Sequence, residues 1–212
     1  MRAIKTCAHL FACIFVTAVV ATFGVAPKAS ATLLFTDYTG ESVTNANPGF
    51  NFGTEFTVGP DALDVVSLGV YDAARDGLAG SRQVGIWRVS DEILIGSTTV
   101  LSGTVGTLVE DWRFTDVAPF TLQANTTYRI AAHTGVDPTE LHPFMGSFSL
   151  GPGIASVRAG SVNGGGPTPF EDYPGNISAR TDVYANAQVV PEPTAALLMG
   201  LGLAGLAARR RT

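Results

Sequence analysis

Apolar and polar residues alternate with period two through the middle of the chain, and this alternation is lost at both ends. Phe52, Thr54, Phe56 and Val58 fall on one face of an extended segment, with Gly53, Glu55 and Thr57 on the other. Asp64–Tyr71 carries Val65, Val66, Leu68, Val70 and Tyr71, and Gln83–Val89 sets Val84, Ile86 and Arg88 against Gly85, Trp87 and Val89. Further strands are predicted at Leu33–Phe35, Ile93–Leu101, Trp112–Phe114, Phe120–Leu122, Thr127–Ala132, Gly146–Leu150, Ile154–Val157 and Asp182–Val190. Turn residues separate them at short intervals: Gly59-Pro60-Asp61, Arg75-Asp76-Gly77, Gly80-Ser81, Ser90-Asp91 and Gln123-Ala124-Asn125. Many short strands and no long amphipathic helix predict an all-β, antiparallel β-sandwich, jelly-roll-like in connectivity.

The ends read differently. Arg2 and Lys5 precede an apolar run from Cys7 to Val25, and Ala29-Ser30-Ala31 is a small-x-small cleavage site. Residues 1–31 are therefore expected to be a signal peptide, with Ala29 and Ala31 flanking the cut and Thr32 opening the mature chain. At the other end, Pro191-Glu192-Pro193 leads into an apolar run from Thr194 to Ala208 and then Arg209, Arg210 and Arg211. As a helix this run would be about 22 Å long, shorter than the roughly 30 Å hydrocarbon layer. Arginine stems that snorkel make a marginal span feasible, with the arginine cluster acting as a basic stop on the cytoplasmic side.

Motif, apolar run and basic end in this order resemble the PEP-CTERM sorting domain of Gram-negative bacteria. The resemblance covers residues 190–212. It implies recognition by exosortase, a membrane-embedded transpeptidase-like protease acting near Pro191, Glu192 and Pro193. It also implies export through the Sec machinery, transient anchoring in the inner membrane, and then a cell-surface or extracellular location. A second resemblance runs from about residue 50 to 132, carried by Phe52–Val58, Val66–Asp72, Asp76-Gly77-Leu78 and Val84–Trp87. These segments look like an uncharacterised β-domain recurrent in PEP-CTERM proteins. Arg82 stands where that pattern commonly has a histidine, and the family implies no activity.

Removing the two ends changes the composition of what is left. Both cysteines, Cys7 and Cys13, lie in the signal region, so the 32–189 domain is expected to hold without disulfides. Seven arginines and no lysine remain there against 17 acidic residues, a formal charge of −10 compared with −5 for the whole chain. Nucleic-acid binding is excluded on that balance, since phosphate contacts need clustered cations.

Chemistry-bearing patterns are few. Asp72 and Asp76, with Asp64 nearby, are candidate oxygen ligands for a structural Ca²⁺, although their spacing departs from an EF-hand loop. His133 and His142 flank Asp137 and Glu140 without a paired metal-ligand spacing. No nucleophile elbow or phosphate-binding glycine loop is found, so no catalytic residue is assigned and the chain is expected not to be an enzyme. Trp87 falls opposite Ile86 in strand parity, which predicts an outward indole that could stack on a sugar ring. The Gly/Pro-rich stretch 158–181 predicts a long surface loop carrying Phe170, Glu171, Asp172 and Tyr173, and Phe170 and Tyr173 join Trp87 as candidate ligand contacts. Two functions follow as expectations. The first is a structural or adhesive protein of the envelope or extracellular matrix. The second is a carbohydrate-binding module for exopolysaccharide, with Ca²⁺ as an optional cofactor.

Overall fold

A computed structural model describes residues 30–44, 49–133, 141–158, 162–163, 170, 173–174, 176–177 and 183–192. Among the described residues fourteen strands run in chain order: β1 Thr32–Leu33, β2 Phe35–Thr44, β3 Asn51–Val58, β4 Leu63–Tyr71, β5 Arg82–Arg88, β6 Leu94–Val100 and β7 Thr107–Val109. They continue as β8 Trp112–Leu122, β9 Thr127–His133, β10 Leu141–Leu150, β11 Ile154–Arg158, β12 Val162–Asn163, β13 Asn176–Ile177 and β14 Ala185–Pro191. No helix occurs among the described residues, and all pairings are antiparallel.

Two five-stranded sheets form a sandwich, ordered β1-β14-β4-β8-β7 and β11-β3-β9-β5-β6. The alternation explains why they face each other. Leu63, Val65, Leu68, Trp112, Phe114, Ala187 and Val189 of one sheet and Phe56, Val58, Val84, Ile86, Tyr128 and Ile130 of the other enter a single core cluster. Burying these side chains is the main stabilising term for a domain without disulfides. A third pairing, β2 with β10, adds Phe35 and Tyr38 to the same core.

Three of the differences from the predicted boundaries have a local reason. The expected first strand at Leu33–Phe35 breaks at Leu34, because the chain passes there from pairing with β14 to pairing with β10. Asn186 bridges the crossing: its Oδ1 accepts from the Phe35 amide at 3.2 Å and its Nδ2 donates to the Phe35 carbonyl at 2.7 Å. The separate strands expected at Trp112–Phe114 and Phe120–Leu122 are one strand, β8. Its register slips between Val65/Phe120 and Ser67/Asp116, so the extra residues around Pro119 bulge out of the ladder. Proline has no amide to donate, and a bulge accommodates it inside a strand. The stretch expected as a loop over 158–181 contains the short β12–β13 pairing, Val162 opposite Ile177. The expected signal helix, the C-terminal helix, Ala29, Pro193 and Arg209–Arg211 lie outside the described residues.

The registers fix which loops share an end. Leu63 pairs with Leu122 and Pro191, and Val189 pairs with Thr32, so the start of β1, the end of β14 and the 59–62 and 123–126 turns lie at one pole. Tyr71 pairs with Trp112, and Arg82 with Val100, so the 72–81 and 101–106 loops lie at the other. Eight residue steps along β4 separate the two poles by roughly 27 Å.

Candidate functional site

At the first pole the last strand does not stop short of the Pro-Glu-Pro motif. Val190 is in register with Asp64 and Pro191 with Leu63, and the Glu192 amide donates to the Ala62 carbonyl at 3.2 Å. Strand parity puts Val190, Asp64 and Thr121 in one row on the outer face of the sheet. There the Thr121 hydroxyl donates to Asp64 Oδ1 at 2.7 Å and lies 3.4 Å from Glu192 Oε1. Ser30 and Ala31, the described residues of the expected signal cleavage site, are exposed beside this pole.

The opposite pole is built on a buried ion pair. Asp72 directly follows β4, and its Oδ2 accepts from Arg113 Nε at 2.8 Å and Nη2 at 2.6 Å, with side-chain exposures of 2% and 4%. Arg113 also reaches the Gly106 carbonyl at 3.1 Å, and Asp72 caps the turn by accepting from the Gly77 amide at 3.2 Å. Leu78 and Gly103 exchange two backbone bonds, which locks the 72–81 loop to the 101–106 loop. Gly77, at φ +110°, brings the backbones together: a Cβ there would lie 2.7 Å from Gly103. An open cavity of about 350 Å³ lies over these loops, lined by Tyr71, Asp72, Asp76, Gly77, Leu78 and Gly103. A second, of about 340 Å³, lies beside it and is lined by Leu101, Val105, Thr107, Phe114 and Asp116. Leu101, Val105 and Leu108, on and beside these loops, are 51%, 75% and 38% exposed.

This geometry answers the Ca²⁺ expectation for Asp72 and Asp76. Asp72 is already neutralised and doubly bonded by Arg113, whereas Asp76 is exposed on the loop above it. A cation would have to displace the guanidinium, so the residues present do not fit a Ca²⁺ site. No group of three or more His, Cys, Asp or Glu converges among the described residues. The side chain of His142, and Asp137 and Glu140, lie outside the description.

Strand parity did place Trp87 opposite Ile86, on the outer face of its sheet, but that face is covered. Phe170 lies over Trp87 with ring centroids 5.4 Å apart and planes at 65°, and Trp87 has no exposed surface. The expected outward-facing indole is therefore corrected to a buried one. Gly85 makes the space: a Cβ there would come within 2.8–2.9 Å of Leu94, Phe170 and Trp87. Beside this contact, Arg129 Nε donates to Glu55 Oε2 at 2.9 Å, Arg129 Nη1 donates to the Pro174 carbonyl at 2.6 Å, and its guanidinium sits 4.6 Å over the Tyr173 ring. Asn51 Nδ2 donates to the Phe170 carbonyl at 3.3 Å. Phe170, Tyr173 and Pro174 thus strap the outer face of the sheet, and Trp87, Phe170 and Tyr173 do come together, as one clamp.

Burial raises the Tyr173 phenol above the ordinary range, while the Arg129 charge works in the opposite direction. A raised acid favours its neutral form in the folded state. The strap contact is therefore complete below the ordinary phenol value of about 10 and weakens as pH climbs through the folded value. Ultraviolet phenolate titration of Tyr173→Phe should lack one late-titrating phenol that the wild type shows.

The sequence reading missed both arginine pairs and the docking of Glu192. Arg113 between Trp112 and Phe114, and Arg129 between Tyr128 and Ile130, were the available signals, because a lone cation inside an apolar strand needs a buried partner.

The chain thus joins an all-β sandwich to a C-terminal segment that starts within its last strand. That segment matches a family: the PEP-CTERM protein-sorting motif covers residues 189–211. Motifs of this kind are recognised by exosortase, and such a signal implies export and membrane-anchored transit in Gram-negative bacteria. The sandwich itself is not named by any family. No curated protein sequence matches the chain. Among solved structures, the infectious bursal disease virus VP2 subviral particle is 14% identical with a TM-score of 0.30, over 87% of this chain and 50% of the viral one. An infectious bursal virus derived T=1 particle is also 14% identical with a TM-score of 0.32, over 79% and 41%. The chain spans about half or less of the length of these viral chains, and likenesses this loose carry no argument about fold or function.

Proposed function

We propose that this is an exosortase-sorted protein whose jelly-roll-like sandwich reaches the cell surface or the extracellular matrix, where it has a structural or adhesive role and no catalytic one. The observation that carries this reading is the fusion of sandwich and sorting motif: the match to residues 189–211 begins inside β14. A domain held at that end presents its opposite pole, with Leu101, Val105 and Leu108, away from the membrane. The signal peptide over 1–31, cleaved after Ala31, belongs to the same proposal, and so do the short membrane segment and the Arg209–Arg211 stop. A saccharide platform at Trp87 loses its support because the indole is covered by Phe170.

Substituting alanine for Pro191, Glu192 and Pro193 together should leave the full-length chain in the inner membrane, whereas the wild type matures. Membrane fractionation with intact-mass measurement reads both forms. Normal release of the triple variant would sink the exosortase reading.

A further inference from the structure

Building on the exosortase reading, we infer that the sorting motif is latent in the folded protein. Pro191 and Glu192 are stored as the last rung of the sandwich, and the end of β14 must peel from β4 before a peptidase can engage the chain. The backbone edge of the motif that faces β4 is occupied, by the Pro191–Leu63 register and by the Glu192 amide on the Ala62 carbonyl. Glu192 also sits in the polar row of Asp64 and Thr121, its carboxylate 3.4 Å from the threonine hydroxyl. A peptidase that binds its substrate as an added strand competes for the same backbone groups.

Reach adds a second barrier. Only Pro193 separates Glu192 from the apolar run that begins at Thr194. At about 3.5 Å per extended residue, the membrane segment begins within about 7 Å of the sheet end, so the docked domain lies flush against the bilayer. A protease cleft finds no slack there. Peeling Val190, Pro191 and Glu192 adds about 10 Å of free chain. The fold favours opening at this point, because β1 covers the other edge of β14 only as far as Val189. Residues 190–192 are therefore held from one side, and strand ends held this way open locally without global unfolding.

Pulse-chase of the full-length chain, in a host carrying the cognate exosortase, tests the gate. Asp64→Cys with Val190→Cys places two thiols at register partners, in a domain that otherwise has no cysteine. Directly opposed antiparallel residues fall within disulfide range. The oxidised double variant should convert from precursor to mature form about tenfold more slowly than either single variant, because the open end is no longer populated. Dithiothreitol should restore the rate. Inserting Gly-Ser-Gly-Ser after residue 190 in the oxidised double variant should also restore it, since the motif is then free although the sheet is locked. Equal rates in the oxidised and reduced double variant overturn the gate alone. Absence of any cleavage of the wild type overturns both the gate and the exosortase reading.

Discussion

Replacing Arg113 by alanine should lower the stability of the sandwich by about 3–5 kcal/mol, because it leaves the Asp72 carboxylate buried without its counter-charge. The pair is nearly inaccessible, with side-chain exposures of 2% for Asp72 and 4% for Arg113, so water cannot take over the lost bonds. Two further contacts go with it: Arg113 to the Gly106 carbonyl at 3.1 Å and Arg113 to the Arg75 carbonyl at 3.4 Å. The expected readout is a lower urea midpoint at unchanged slope. The double change Arg113→Met with Asp72→Leu should cost much less, since removing both charges also removes their desolvation. Arg75→Ala breaks an exposed pair with Asp111 and should leave the midpoint where it is. A cost near zero for Arg113→Ala would show that the distal loops do not depend on the pair.

Phe170→Ala should cost about 3 kcal/mol, confined largely to the strap, and should make Trp87 accessible to solvent quenchers. Both tryptophans of the chain are fully buried, so wild-type fluorescence should be blue and poorly quenched by iodide. Removing the Phe170 ring takes away the cover that lies 5.4 Å from Trp87 and loosens the Asn51–Phe170 bond beside it. In a Trp112→Phe background only Trp87 reports, and its emission should shift to the red with a several-fold rise in quenching. Gly85→Ala should act in the same direction by wedging Trp87, Leu94 and Phe170 apart. Unchanged quenching in both variants would mean that Trp87 is sealed by something other than the strap.

How far the sequence could be read depended on whether a feature is local. Strands β3, β4, β5 and β9 were legible because Phe52–Val58, Asp64–Tyr71, Gln83–Val89 and Thr127–Ala132 carry the period-two pattern within themselves. β8 was read as two pieces because Pro119 interrupts the pattern. The bulge that tolerates it exists only opposite Val65 and Ser67. Trp87 shows the same division: parity gave its face, but its cover comes from Phe170, 83 positions along the chain. Short two-residue pairings such as β1 and β12–β13 carry no periodic signal at all.

The sequence by itself determined the antiparallel β character and the address at Pro191–Pro193, since alternation and a contiguous motif are both written in neighbouring residues. Tertiary structure alone decided that Asp72 belongs to Arg113 and Glu55 to Arg129, and that Trp87 is buried under Phe170. It also decided that Glu192 is held by Ala62, so that the address begins inside the fold. Each of these contacts joins residues 41 to 130 positions apart. A side chain's environment in a two-layer sandwich is set by whichever strand or strap comes to lie over it, and no local pattern encodes that partner.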